Sequence, residues 1–345
     1  MRHLLEQSPE QLLDWLTQRG VPGYRDAQVR RWLYEKRARG FEEMTDLPQA
    51  VRDQLAAEFQ VWTSRVAARQ PAADGTEKLL LELSDAQRIE CVLLRDDRGH
   101  CTTCISTQVG CGMECAFCAT GLDGVARNLT TGEIVEQVLQ LQQLLAPDER
   151  LSHVVVMGMG EPLANLDHLM PALALATAPA ALGISVRRVT ISTVGLPAGI
   201  RRLAEQNCQY HLAISLHAAD DALRDRLVPA NRNVGIAAIL AAADEYFDKT
   251  GRRVTFEYVL LAGVNDRPED ARRLAALLHG RPALVNLIPY NPVAGLAFRR
   301  PAAAAIAQFV EILTQGGLTV AIRHRKGDRI GAACGQLRRS AGGPE

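Results

Sequence analysis

The chain has 345 residues, with 39 Lys and Arg set against 39 Asp and Glu, and so carries no formal net charge. That balance excludes a bulk polycation: any contact with nucleic acid has to come from local basic patches. With 47% hydrophobic and 23% charged residues, the composition is that of a globular chain long enough for one large α/β domain and a smaller one.

No run is apolar for 18 residues, and MRHLLEQSPEQ lacks the core of a secretory signal, so no membrane span is expected. Eight cysteines without such a signal point to a reducing compartment, and the expected location is the cytoplasm. Residues 1–60 read as a small helical unit. Ser8-Pro9-Glu10-Gln11 has capping-box spacing with Pro in the first turn, and Gly20 ends that helix. A second helix, near 26–38, puts Val29, Trp32 and Leu33 on one face and mostly places Arg30, Arg31, Lys36, Arg37 and Arg39 elsewhere. Those cations could meet a phosphate backbone or form an ordinary solvated face. A third helix follows Thr45-Asp46-Leu47-Pro48, with Leu47, Val51, Leu55 and Phe59 at steps of four.

Residues 61–100 change character. LLLEL and RIECVLL are strand-like runs around the turn-like SDAQ, which predicts a small hairpin linking the helical unit to the main domain. Alternation sets Glu90 on the opposite face from Ile89 and Cys91, as an exposed strand carboxylate.

From 101 to 320 strands and helices alternate. Strand-like runs lie at 102–108, 153–158, 188–193, 211–216, 254–261 and 284–289. Helical patterns lie near 131–145, 168–177, 197–206, 234–247, 268–279 and 302–315, the first capped by Thr130 and Glu133. Six strand-then-helix units predict an α/β fold with a parallel sheet, curled by right-handed crossovers into a partial barrel. An open doubly wound sheet is the alternative. In such barrels the chemistry sits at the C-terminal ends of the strands.

Directly after the first of these strands comes CISTQVGCGMECAFC, residues 104–118. Cys111, Cys115 and Cys118 have the spacing C-x3-C-x2-C, with Phe117 before the last and Cys104 seven residues ahead of the first. Three thiolates on one short loop can hold three irons of a [4Fe–4S] cube and leave the fourth open to a ligand that is not protein. An open iron beside S-adenosylmethionine (SAM) is what one-electron cleavage of that cofactor requires. A zinc site is the alternative, although structural zinc usually shows paired C-x2-C knuckles. Other strand ends carry Gly158-Met159-Gly160-Glu161-Pro162, Ser192-Thr193-Val194-Gly195, Ser215-Leu216-His217 and Asn291-Pro292. Polar groups at the same end of consecutive strands favour a polar ligand site.

The tail, 321–345, is basic: Arg323, Arg325, Lys326, Arg329, Arg338 and Arg339 against Asp328. Within it Cys334 lies between Ala333 and Gly335, where small neighbours leave a thiol accessible and nearby cations favour its thiolate. Cys91 and Cys208 read as structural.

Taken together, these stretches resemble the RlmN/Cfr family of radical SAM RNA adenosine methyltransferases nearly end to end. FEEMTDLPQAVRDQL is similar to the family's N-terminal accessory segment and CISTQVGCGMECAFCATG to its cluster loop. VVVMGMGEPLANLD, TISTVG, LAISLHA, NLIPYNPV and AACGQL follow in the family's order. The resemblance implies that Cys111, Cys115 and Cys118 bind a [4Fe–4S] cluster and that Gly160, Glu161, Ser192, Ser215, Leu216, His217 and Asn291 contact SAM. It implies that Cys334 becomes S-methylated, that Cys104 resolves the covalent RNA adduct through a transient disulfide, and that Glu90 accepts a proton. Two SAM molecules would be used per turnover. The implied substrates are an adenosine of 23S rRNA near the peptidyl-transferase centre, methylated at C2, and an adenosine beside the anticodon in tRNA. The implied electron donor is a flavodoxin or ferredoxin, and a monomer is expected.

Two alternatives stay open on sequence: methylation at C8, as in the Cfr branch, and a non-catalytic metal-binding RNA module. The chain also departs from the family's pattern. The stretch between Asp97-Arg98 and Cys104 is longer and adds Cys101, and the acidic pair before AACGQL is broken by Asp328-Arg329-Ile330-Gly331.

Overall fold

The computed structural model describes residues 1–206, 208–323, 326, 327 and 330–338. Arg325, Asp328, Arg329 and Arg339, singled out in the tail, lie outside the described residues.

The N-terminal unit holds helices α1 (Pro9–Gln18), α2 (Tyr24–Tyr34) and α3 (Gln49–Glu58). Ser8 caps α1 as its spacing predicts: its hydroxyl accepts from Gln11 N at 3.2 Å, while Gln11 Oε1 accepts from Ser8 N at 2.8 Å. Leu47, Val51, Leu55 and Phe59 are all buried, as their four-residue steps require. Four of the five cations predicted on the second helix have partners in the chain. Arg30 meets Asp26 at 2.7 Å, Arg31 meets Glu35 at 3.5 Å, and Lys36 lies 3.5 Å above the Trp32 ring. Arg37 donates to the carbonyls of Leu145 and Glu149 and so fastens the unit to the main domain.

Ten strands form one sheet whose spatial order is the sequence order. They are β1 (Arg65–Pro71), β2 (Glu77–Glu82), β3 (Arg88–Arg95), β4 (Cys101–Cys104), β5 (Leu151–Val156), β6 (Val189–Thr193), β7 (His211–Ser215), β8 (Val254–Leu260), β9 (Ala283–Pro289) and β10 (Thr319–Ile322). From β4 to β10 every neighbouring pair is parallel, and β1 to β4 pair antiparallel. Helices α4 (Thr131–Gln142), α5 (Leu166–Thr177), α6 (Pro197–Ala204), α7 (Asp221–Leu227), α8 (Ile236–Thr250), α9 (Pro268–Leu278) and α10 (Ala303–Gln315) fill the crossovers. The result is the partial (β/α)6 barrel that the alternation predicts, with the helical unit at its N-terminal side. Thr130 caps α4 with Glu133, donor and acceptor reciprocated at 3.2 and 2.9 Å.

Three readings change. The hairpin of residues 61–100 is not a separate linker: a further strand, β1, precedes it, and all three extend the main sheet. β1 escaped notice because RVAARQP lies at the sheet edge with little burial and therefore little apolar patterning. Glu90 is not exposed. Residues Ile89 to Leu93 are all buried, so β3 is covered on both faces and alternation no longer separates inside from outside. The tail begins inside the sheet, since β10 carries residues 319–322.

Glu136 of α4 shows how the parts are joined. It is 1% exposed and accepts from Thr63 and Ser64, backbone and hydroxyl alike, at 2.6 to 3.2 Å. Such charge-assisted bonds are the strong kind, and they compensate the burial of the carboxylate.

Candidate active site

The cysteine loop lies beyond β4, at the C-terminal end of the parallel strands. Cys111, Cys115 and Cys118 line one cavity of about 920 Å³, counted out to its mouth. Burial pushes the Cys111 thiol up to about 12 and raises Cys115 and Cys118 as well. Backbone donors oppose that cost: Met113 and Gly160 toward Cys111, Thr120 and Gly121 toward Cys118. N–H groups aimed at sulfur suit thiolates that carry a cluster. Among the described residues no three His, Cys, Asp or Glu side chains are grouped to hold a single metal ion. A cube takes one thiolate per iron, so its ligands stand further apart than those of one ion. Three thiols on one wall are a donor set that suits an iron–sulfur cluster.

The opposite wall comes from the strand ends. After β5 the chain turns through Gly158 and Gly160. A Cβ at Gly158 would stand 2.7 Å from the Ile105 carbonyl oxygen, and Gly160 has φ +103° with Gln108 Cβ 2.6 Å from where its own Cβ would be. Only glycine permits that close approach. It brings Glu161 inside, 2% exposed, where it accepts from Leu163 N at 3.0 Å and Val194 N at 2.9 Å. Burial raises its carboxyl above the usual range, against those donors.

Ser192, at the end of β6, and Ser215 and His217, at and beyond the end of β7, also line this cavity. His217 has φ +60°, rare for a residue with a side chain, and is held from several sides. Its Nδ1 accepts from Val259 N at 3.1 Å, its carbonyl accepts from Asn265 Nδ2 at 2.9 Å, and the Phe117 ring meets its ring edge-on at 4.7 Å. Burial lowers the imidazole pKa to about 3, with Arg224 adding to the effect. The ring is therefore neutral, with its proton on Nε2. Asn291 completes the predicted wall, its Nδ2 3.5 Å from the Cys334 carbonyl and its Oδ1 without a partner among the described residues. Leu216 is the exception: its side chain is fully buried in the core, off the cavity.

A second cavity, about 700 Å³, adjoins the first. Met157, Ile288, Asn291, Arg323 and Cys334 line both. Cys104 lines only the second, deeply buried, and burial pushes its thiol up to about 12. The tail is pinned there by Ala119 N donating to Gly335 O at 2.8 Å and by the Thr120 hydroxyl donating to Leu337 O at 2.8 Å. Cys334 therefore stands between the cavity wall of Cys111, Cys115 and Cys118 and that of Cys104. Glu90 lies on neither wall. Its Oε1 meets Lys78 Nζ at 2.7 Å and its Oε2 accepts from Arg338 N at 2.8 Å, beneath the tail.

Sequence reasoning missed three groups. Arg224, 1% exposed, donates to the carbonyls of Leu216 (2.9 Å), Ser215 (3.0 Å) and Val194 and to Asn231 Oδ1 (2.5 Å), so it clamps the ends of β6 and β7. In DALRDRL it reads as one more helix-surface cation. Glu257, 4% exposed, lines the first cavity and accepts from Asn286 Nδ2 at 2.8 Å. A lone carboxylate in VTFEYVLL was an available signal. In the sequence Arg323 reads only as part of a basic tail.

A family model described as "Ribosomal RNA large subunit methyltransferase N-terminal domain" matches residues 2–61, and one described as "Radical SAM superfamily" matches residues 105–275. A Rhodopirellula baltica protein named "Probable dual-specificity RNA methyltransferase RlmN" is 56% identical, over 99% of this chain and 91% of its own length. The chain belongs to the RlmN family of radical SAM methyltransferases. A Moorella thermoacetica RlmN relative, with the same "Probable" name, is 49% identical over 96% of this chain and 95% of its own. The crystal structure of a radical SAM methyltransferase from Sphaerobacter thermophilus superposes with a TM-score of 0.95 at 41% identity, covering 99% of this chain and all of that one. Membership in the RlmN family carries SAM and an iron–sulfur cluster with it. No described helix is long and apolar enough to cross a membrane.

Proposed function

We propose that the protein methylates C2 of an adenosine in 23S rRNA and of an adenosine beside the anticodon in tRNA. RNA is the substrate class that the relatives' names carry. One observation supports the covalent route above all: Cys334 lines both cavities, with the three cluster cysteines on one side and Cys104 on the other.

In this reading Cys111, Cys115 and Cys118 hold a [4Fe–4S] cluster, which would supply the electron that cleaves SAM. Gly160, Glu161, Ser192, Ser215, His217 and Asn291 form the polar wall that orients SAM, with Leu216 contributing only backbone. Two SAM molecules are used per turnover, the first to methylate the Cys334 thiolate. The methyl carbon, activated by hydrogen removal, then bonds to adenine C2. Carbon C2 bears no acidic proton, so direct polar methylation there is unfavourable. The adduct then loses one electron and its C2 proton. Cys104 attacks the Cys334 sulfur, so that an S–S bond forms as the S–CH2 bond breaks. The released carbon takes up a proton to become the methyl group, and the disulfide is left for an external reductant. Glu90 has the raised proton affinity that an acceptor needs, although Lys78 and Arg338 N hold it off both cavity walls.

The target base must leave its stack to enter the barrel mouth. A monomer served by a flavodoxin or ferredoxin is the expected working form. The test is nucleoside mass spectrometry after incubating reconstituted protein with methyl-labelled SAM and unmodified 23S rRNA or tRNA. 2-Methyladenosine is the expected product. 8-Methyladenosine, or no methylated adenosine despite SAM cleavage, would overturn the reading.

A further inference from the structure

Arg323 follows β10 directly, and its backbone N–H donates to Leu287 O at 2.9 Å. Its side chain lines both cavities, together with Cys334 in each and Cys104 in the second. Among the described residues its guanidinium makes one hydrogen bond, a 3.4 Å contact to Met157 Sδ. Thioether sulfur is a weak acceptor, and a guanidinium has five N–H donors to satisfy. An inward cation so poorly satisfied is costly unless an anion comes to it. The titratable groups that face it are Glu257 from β8, Cys104 from β4 and Cys334 from the tail. Lys326 also lines the second cavity, but its ammonium is taken by the Arg95 carbonyl. Glu257 accepts from Asn286 and is also attracted by Arg323, but it takes no part in the covalent steps proposed above. The two thiols are the facing groups that act in them.

We propose that Arg323 is the shared counter-cation of Cys334 and Cys104, a positioning residue that favours the thiolate of whichever sulfur is acting as nucleophile. The order in which the sulfurs act rests on the function proposed above. When Cys334 displaces the methyl group from SAM, an S–CH3 bond forms and the sulfonium S–CH3 bond breaks. Its electron pair stays on the SAM sulfur, and the product thioether on Cys334 is neutral. Arg323 thereby loses one anion and is free to stabilise the next, the thiolate of Cys104. One cation suffices because the two thiolates are needed in succession. The charge influences agree: Cys334 is the largest of those that raise the Arg323 pKa, and Arg323 opposes the burial that raises Cys104.

The test needs no RNA. Alkylation of Cys334 by iodoacetamide is followed by peptide mass spectrometry across pH in the reconstituted protein and in its Arg323→Met, Arg323→Gln and Arg323→Lys variants. Cys208, which lines neither cavity, is the internal reference. Near neutral pH the Met and Gln variants should label Cys334 roughly ten-fold more slowly, a deficit that closes at high pH, where the thiol is ionised in every variant. Arg323→Lys should restore most of the rate, and Cys208 should label alike throughout. Unchanged Cys334 labelling in the neutral variants, or slowing by the same factor at every pH, would overturn the proposal. Should the wild type methylate no RNA while this contrast holds, the methyl-transfer reading fails and the role of Arg323 in thiolate formation stands.

Discussion

Lys78 Nζ stands 2.7 Å from Glu90 Oε1, and the two side chains are only 10% and 7% exposed. Burial raises the Glu90 carboxyl pKa, while the attraction of Lys78 works against that rise. A buried pair is expensive to break, because the surviving charge is left without its partner. Glu90→Gln and Lys78→Met should each destabilise the apoprotein by about 3 kcal/mol, and the double variant by much less than their sum. Denaturant unfolding of the four proteins checks this. Additive single effects, each below about 1 kcal/mol, would contradict it.

Arg224 makes the corresponding prediction for the barrel mouth. Its guanidinium serves carbonyls of Val194, Ser215 and Leu216, so Arg224→Leu takes a donor from three strand-end acceptors, of which Leu216 O keeps Ala218 N. A loss of at least about 3 kcal/mol in apoprotein stability is expected. Arg224→Lys should recover only part of it, since one ammonium cannot span the same acceptors. Recovery to wild-type stability by lysine would contradict the clamp.

His217 links the site to pH. Unfolded, its imidazole takes a proton near 6.5; folded, only near 3. Between those values the unfolded state holds the extra proton, so the contribution of His217 is intact above pH 6.5 and drains away as pH falls toward 3. The limiting slope is about 1.4 kcal/mol per pH unit. A His217→Asn apoprotein, compared with wild type from neutral to about pH 4.5, should show a shallower decline with acidification. Parallel pH profiles for the two proteins would count against a buried neutral His217.

The sequence makes much of this arrangement legible, because the features involved are local. Thr130 and Glu133 mark a helix start, the Gly158 and Gly160 turn needs glycine by its own geometry, and three cysteines within eight residues occupy one loop. What remained hidden depends on distant chain. Glu90 is buried because residues near Arg338 fold over its strand, a contact separated by 248 positions. Arg224 serves carbonyls on two strands that its own helix does not announce. Arg323 looks like a tail cation until β10 joins the sheet and carries it to the cavities. The basic face of α2 shows the reverse: its sequence suggests free cations, and Asp26, Glu35 and the Leu145 and Glu149 carbonyls take them up.

The covalent role of Cys334 is the central claim, and Cys334→Ala tests it most directly. The reconstituted variant, supplied with reductant, labelled SAM and unmodified 23S rRNA, should still cleave SAM and should place no methyl group on the RNA. Methylation of adenosine by that variant at the wild-type rate would contradict the account.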